Sequence, residues 1–407
     1  MKDSEKRIIE IDQCNPGLSR EYLLKGAKDT HVQAYYKLMV DIAVLMGADR
    51  KSAHKEMKKV LSMEIKMAEF ALPRELRRNW TLLHNPMKIR DLQFLYPELP
   101  MLQFLNDVIE YKEAVIYEDE VVNVNVPSYV IRVRDYLKNV PSRVQANYMM
   151  WRFVKSLIMF LNKKALGYAQ DFISLLSGSK SDEPRWEKCV RVRQIYVKMN
   201  QESFLYQATA GLDDLYYVEG SLTNAVGSMY AKSYFKLDAK LKADKMVSNM
   251  KLMFKHMLDK LDWMDDKTRA RAHAKADKMM SFIAYKEEIL DDDLINQFYD
   301  GLDITSTSFM KNYLNLRRFI GHYYAKEFRK KIDKLDWRTH GGAAMVNAFY
   351  DYDENSIQFP AAVLGGVFFD AERPSYMNYG SLGYVVGHEI THGFDDKGSQ
   401  KDEDGKS

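Results

Sequence analysis

A chain of 407 residues with 46% hydrophobic and 29% charged residues has length for two or three domains of roughly 150 residues and the composition of a folded protein; ten prolines and twenty glycines exclude a collagenous or disordered one. Sixty Lys and Arg against fifty-seven Asp and Glu leave a net charge of +3, which excludes the dense basic footprint of a nucleic-acid binder. No run reaches the roughly eighteen apolar residues of a membrane span: the best stretch, 148–161, is broken by Arg152 and Lys155. The charged start lacks the apolar core of a signal peptide, so any such signal would lie upstream.

From Ala27 to about Ile283 the apolar residues recur with a helical period. Tyr35, Leu38, Met39, Ile42, Leu45 and Met46 form one stripe, and Ala53, Met57, Val60, Leu61, Met67 and Ala68 a second, which Pro73 stops. Asn85-Pro86 predicts a cap and a first-turn proline opening a short helix that Pro97 closes. Val122, Val124 and Val126 alternate, which predicts a half-buried strand isolated among helices. Pro141-Ser142 opens a longer helix that turns Trp151, Phe153, Val154, Leu157, Ile158 and Leu161 to a core. The pattern breaks around Asp291 to Asp293 and resumes from Phe309 to Ile332 with a solvated Lys/Arg face.

Past Trp337 the composition changes, with residues 340–379 poor in lysine and rich in Gly, Ala, Phe, Val and Tyr. Ala344 to Tyr350 predicts a strand, Asp351 to Asn355 a turn, and Ser356 to Phe359 a returning strand ended by Pro360. Gly380-Ser381 then opens a short helix through Val385, Val386 and Ile390, closed by Gly393.

That helix carries His388-Glu389-Ile390-Thr391-His392, the H-E-x-x-H pattern. At about 100° per residue its histidines lie ~40° apart on one face, one turn above each other, so both imidazoles reach a single ion. Two of the four tetrahedral positions of zinc are then filled. Glu389 sits about 80° around from the bisector of the pair, placed to take a proton from an attacking water without being a ligand. Val386 and Ile390 project from the opposite side and anchor the helix. The extended pattern with a third histidine needs Gly at 395 and His at 398, where this chain has Asp395 and Gly398. A glutamate from a later helix is the other common solution, but Glu403 lies in a tail without helical pattern. Cys14 and Cys189 allow at most one disulfide and make no thiolate zinc site on their own. Asp395, three residues after His392, is a reasonable acceptor for an imidazole N–H.

Three segments in order, Val346-Asn347-Ala348-Phe349-Tyr350, Ile357-Gln358-Phe359-Pro360-Ala361, and Asn378-Tyr379-Gly380 through Gly387-His388-Glu389-Ile390-Thr391-His392-Gly393-Phe394-Asp395-Asp396, resemble the catalytic core of the neprilysin and endothelin-converting-enzyme family of zinc endopeptidases. Upstream, Ile11-Asp12-Gln13, Leu18-Ser19-Arg20-Glu21-Tyr22, Trp151-Arg152-Phe153, Trp186 with Cys189, Asn224-Ala225-Val226-Gly227 and Trp263-Met264 resemble its helical N-terminal region. The resemblance implies a mainly α, α+β fold: a helical peptidase region at 1–286, a helical connection at 287–340, and at 341–407 the first part of a thermolysin-like (gluzincin) catalytic unit. It implies one zinc ion per chain held by His388 and His392, with Glu389 as general base. Asn347 and Ala348 would lie on an edge strand that pairs with the backbone of peptide substrates.

The departures from that family shape the expectation equally. The chain stops before the family's Glu-x-x-x-Asp helix, source of the third ligand, and before the histidine and arginine that contact transition state and substrate. The family's cytosolic tail, single membrane helix and cysteine-rich start would lie upstream. Cys189 matches a family cysteine whose partner would precede residue 1, Cys14 stands where the family has none, and the stretch from Val190 to about Leu222 is longer than usual. The expected function is that of a zinc-dependent metalloendopeptidase cleaving internal peptide bonds, its parent secreted or on the extracellular face of the plasma membrane. This chain by itself would bind zinc weakly, with water in place of the missing carboxylate. The alternative is a truncated, non-catalytic fragment or pseudo-peptidase that binds peptides or partners. Asn79-Trp80-Thr81 is the one N-glycosylation sequon.

Overall fold

The structure, a computed structural model, describes residues 5–109, 111–178, 222–340 and 342–407. Trp186, Cys189 and the long stretch from Val190 through residue 221 lie outside the described residues. The fold is mainly α, and its six short strands among the described residues form two separate three-stranded sheets.

The first helical stripes behave as their period predicts. Helices Thr30–Leu45 and Arg50–Phe70 begin at Asp29 and Asp49, whose carboxylates accept from backbone N–H groups the first turn cannot satisfy: His31 and Val32 in one case, Ser52 in the other. Tyr35, Leu38, Met39 and Ile42 pack with Ala53, Met57, Val60, Leu61, Met67 and Ala68 in one core, which helices Ser142–Leu157 and Lys163–Ser177 complete. Met46, the C-cap residue of the first helix, is exposed and does not join. Trp151 is buried there and donates its indole N–H to Tyr35 Oη at 2.6 Å. Phe153, expected on the same face, is 58% exposed; two residues from Trp151 it stands about 200° around the helix, so the two cannot share a stripe.

The valine strand is not isolated. Strands β1 (Ile9–Ile11), β2 (Pro86–Lys88) and β3 (Val121–Val124) form a sheet in the order β1-β3-β2, with β1 parallel and β2 antiparallel to the central β3. Asn85-Pro86 therefore opens a strand, and the helix Ile89–Leu95 starts three residues later than expected. A proline at the first residue of an edge strand withholds no ladder hydrogen bond. The N–H of Asn85 is taken by Asn123 Oδ1 at 2.7 Å, which ties the segment to β3.

The second sheet carries the hairpin. Strands β5 (Phe349–Asp351) and β6 (Ser356–Pro360) pair antiparallel as expected, Tyr350 opposite Ile357, around a turn in which Asp351 Oδ1 accepts from the N–H groups of Asp353 and Glu354. Strand β5 is shorter than its composition suggested: 344–348 makes no ladder with β6, and the backbone there turns, the N–H of Met345 donating to the Gly342 carbonyl at 3.0 Å. The unforeseen member is β4 (Met280–Ala284), at the end of the region with helical period; it pairs parallel with β6 and gives the order β4-β6-β5. Against this sheet lie helix Leu237–Asp259, through Ala239, Ala243, Met246 and Val247, and helix Leu382–His392, through Leu382, Val386 and Ile390, all in one core. Gly380 ends the short helix Ser375–Gly380, and Ser381 is the N-cap of the histidine-bearing helix.

Candidate metal centre

With Leu382, Val386 and Ile390 buried on one side, the histidine helix turns His388 and His392 outward. Their Nε2 atoms stand 3.1 Å apart and their rings are nearly perpendicular, at 81°. Two nitrogens about 2.0–2.1 Å from one ion at the tetrahedral angle are about 3.3 Å apart, so the pair fits zinc with almost no rearrangement. Glu389 lies between them in sequence and is buried, at 6% exposure. Burial pushes its carboxyl up to about 7, against the opposing pull of His392. Burial, followed by the proximity of His392, lowers His388, which favours the neutral imidazole that binds metals.

Asp395 sits behind His392 as the spacing suggested. Its Oδ2 is 2.9 Å from His392 Nδ1, while its Oδ1 accepts from the N–H groups of Lys397 at 2.9 Å and Gly398 at 2.8 Å. Burial alone would raise this carboxyl; the hydrogen bonds from Gly398, the His392 ring and Lys397 outweigh it and hold Asp395 below the usual carboxylate range. A negative group on Nδ1 keeps the proton there and leaves the Nε2 lone pair facing His388. Tyr352, in the turn after β5, donates its hydroxyl to Asp395 Oδ2 at 3.2 Å. The sequence carried no signal for this contact, since its two residues are 43 positions apart.

Asn347 and Ala348 lie just upstream of β5, outside the strand itself, and β5 is an edge of its sheet. Asn347 Oδ1 accepts from the N–H of Ala348 at 2.9 Å. The turn after β5 reaches the histidine helix through Tyr352, whose ring centroid is 6.3 Å from that of His392. No third His, Cys, Asp or Glu gathers with the pair among the described residues. The Glu403 carboxylate faces Lys278, 3.7 Å from its Nζ. No helix among the described residues is long and apolar enough to cross a membrane.

Models of peptidase family M13 match this chain at residues 1–286 and 347–407. It is 39% identical over 403 residues to neprilysin-2 of Drosophila melanogaster, covering 99% of this chain and 50% of that protein. It is 31% identical over 416 residues to membrane metallo-endopeptidase-like 1 of Mus musculus, covering 99% and 51%. Zinc metalloprotease Zmp1 of Mycobacterium tuberculosis, in complex with an inhibitor, shares the fold with a TM-score of 0.80 at 23% identity, over 100% of this chain and 56% of that one. PepO from Lactobacillus rhamnosis does so with a TM-score of 0.78 at 17% identity, over 100% and 59%. The chain spans about half the length of the curated relatives it matches. One family thus accounts both for the helical region that frames the site and for the segment bearing its histidines: the chain belongs to peptidase family M13, the neprilysin-like metallopeptidases.

Proposed function

We propose that this chain carries the zinc-holding helix and the peptide-binding edge of a metalloendopeptidase that cleaves internal bonds of peptides. The observation that supports it most is the facing pair of Nε2 atoms, 3.1 Å apart, with Asp395 fixed on the far nitrogen of one ring. His388 and His392 would hold one zinc ion per chain; zinc bound there supplies a Lewis acid that polarises a peptide carbonyl and acidifies water. The protein's own part is proton handling. The carboxylate of Glu389, raised toward neutrality by burial, takes the proton of the attacking water and returns it to the leaving amine. Asp395 keeps His392 in the tautomer that presents Nε2. An extended peptide would add to the outer edge of β5, and the N–H of Ala348 would exchange the Asn347 side chain for a substrate carbonyl.

The second reading is a pseudo-peptidase that binds peptides without cleaving them; among the described residues no third donor gathers with the pair. Calorimetric titration with zinc tests the site. One equivalent bound by the chain and none by His388→Ala or His392→Ala is the expected result, and retained binding in both variants would remove the site assignment. Peptide bound but not cleaved by the zinc-loaded chain would favour the second reading for this chain.

We propose that the protein lies outside the cell or faces the exterior; the word membrane in the name of the mouse relative, membrane metallo-endopeptidase-like 1, supports a membrane association. Asn79 of the sequon is exposed at the start of helix Trp80–Leu83. Mass spectrometry of native protein is expected to find an N-glycan on Asn79, and an unmodified side chain would count against this location.

A further inference from the structure

His392 is the last residue of its helix, so no further turn restrains it. Its orientation depends on Asp395, and therefore on the loop that follows. That loop is gripped from the helical region by residues more than three hundred positions away. The Arg78 guanidinium forks onto the Asp396 carboxylate through Nε and Nη2, and Nη2 stands 3.9 Å from Asp395 Oδ2. The backbone N–H of Trp80 donates to Gln400 Oε1 at 2.8 Å, and Gln400 Nε2 donates back to the Arg78 carbonyl at 2.9 Å. The Gln400 amide thus pairs with this backbone as a neighbouring strand would. The Trp80 ring meets Tyr352 edge-on at 6.4 Å, and Tyr352 is the residue whose hydroxyl reaches Asp395. Asp395 is therefore held from both sides by contacts that begin at residues 78–80.

We propose that the Arg78–Trp80 segment braces the metal centre, with Arg78 and Gln400 as positioning residues that hold Asp395, and through it His392, in the geometry a metal requires. The inference rests on the zinc-peptidase reading for the identity of the ion, but the His392–Asp395 bond it concerns exists without one. Global stability is a poor explanation for the ion pair. Arg78 and Asp396 are 40% and 55% exposed, and pairs in such positions contribute little to folding.

The test compares Arg78→Glu, Asp396→Arg and the double charge swap in the full chain, with two readouts. The first is the ring nitrogen signals of His392 in metal-free protein labelled with 15N-histidine, which report the tautomer. The second is zinc affinity by titration. In the unsubstituted chain His392 is expected to carry its proton on Nδ1. Each single variant should show a mixture of tautomers and bind zinc about tenfold more weakly, the lower end of what losing such support costs. The melting temperature should fall by about 2 °C or less. The double swap should recover both readouts. Should the charge variants not fold, Gln400→Leu, which removes only the amide pairing, is expected to shift both readouts in the same direction. Single variants with unchanged signals and affinity, or a swap that recovers neither, would overturn the brace. A His392 signal that responds as expected in a chain that binds no zinc would sustain the brace and remove the zinc reading instead.

Discussion

Glu389→Gln is expected to leave zinc content nearly unchanged while lowering peptide hydrolysis at least about a hundredfold in the peptide-cleaving form of the protein. Gln has the size and hydrogen-bonding reach of Glu but cannot accept and keep a proton. The carboxylate is buried in the same core-facing helix as Val386 and Ile390, so the isosteric change opens no cavity. Nor should the fold suffer. In the folded chain this carboxyl binds its proton more tightly than an ordinary one at 4.5, up to about 7, so ionising it costs stability as pH rises across that interval. The neutral amide removes that cost, and above pH 7 the variant should be at least as stable as the parent. His388→Ala and His392→Ala should lose metal and activity together, since each removes a ligand nitrogen. Metal analysis alongside steady-state kinetics separates these outcomes. A Gln variant that loses zinc as readily as the histidine variants, or that keeps near-normal turnover, would show that Glu389 is not the base.

The second large effect is expected at a glycine with no side chain to lose. A Cβ at Gly398 would lie 2.1 Å from the His392 carbonyl oxygen and 2.5 Å from the carbonyl carbon of Gly393. Both are backbone atoms at the end of the histidine helix, so the loop itself must move. The same residue donates its N–H to Asp395 Oδ1 at 2.8 Å and offers its carbonyl to Lys275 Nζ at 2.6 Å. Lys275 is a buried amine, which burial lowers to about 8, and its other hydrogen bond goes to the Lys401 carbonyl at 2.8 Å. Gly398→Ala should therefore push the loop off the helix end and loosen Asp395 from His392. We expect zinc affinity to fall by about tenfold or more and stability by about 2 kcal/mol, as for other overpacked sites. Gly365→Ala, where a Cβ meets nothing within 4 Å, is the control and should change neither. Zinc titration and urea unfolding measure the two effects, and parental behaviour of Gly398→Ala in both would mean the loop plays no part in holding the site.

Some of this molecule could be read from its residues in order. The histidine pair, the buried stripe of Val386 and Ile390 behind it, and the stripes from Tyr35 to Ala68 all follow from the helical period, which relates residues one or two turns apart. Asp395 was legible for the same reason, being three residues from the histidine it supports. The hairpin of β5 and β6 was legible because its turn is local, though β5 proved shorter. Other features had no local signature. Strand β4 follows a helix and takes its identity from pairing with β6, far downstream. The Asn85-Pro86 pair carries both a helix-start and a strand-edge meaning, and only the position of β3 decided between them. Tyr352, Arg78 and Gln400 reach the site across long stretches of chain, through a hydroxyl, a guanidinium and an amide that would look the same on any solvated surface. The sequence by itself determined that one helix sets two histidines on a single face, one turn apart, with a glutamate beside them and an apolar stripe behind, because side-chain spacing along a helix is set by backbone geometry alone. Tertiary structure decided what orients that helix's last histidine, because loops and sheet edges acquire their partners only when distant segments are packed together.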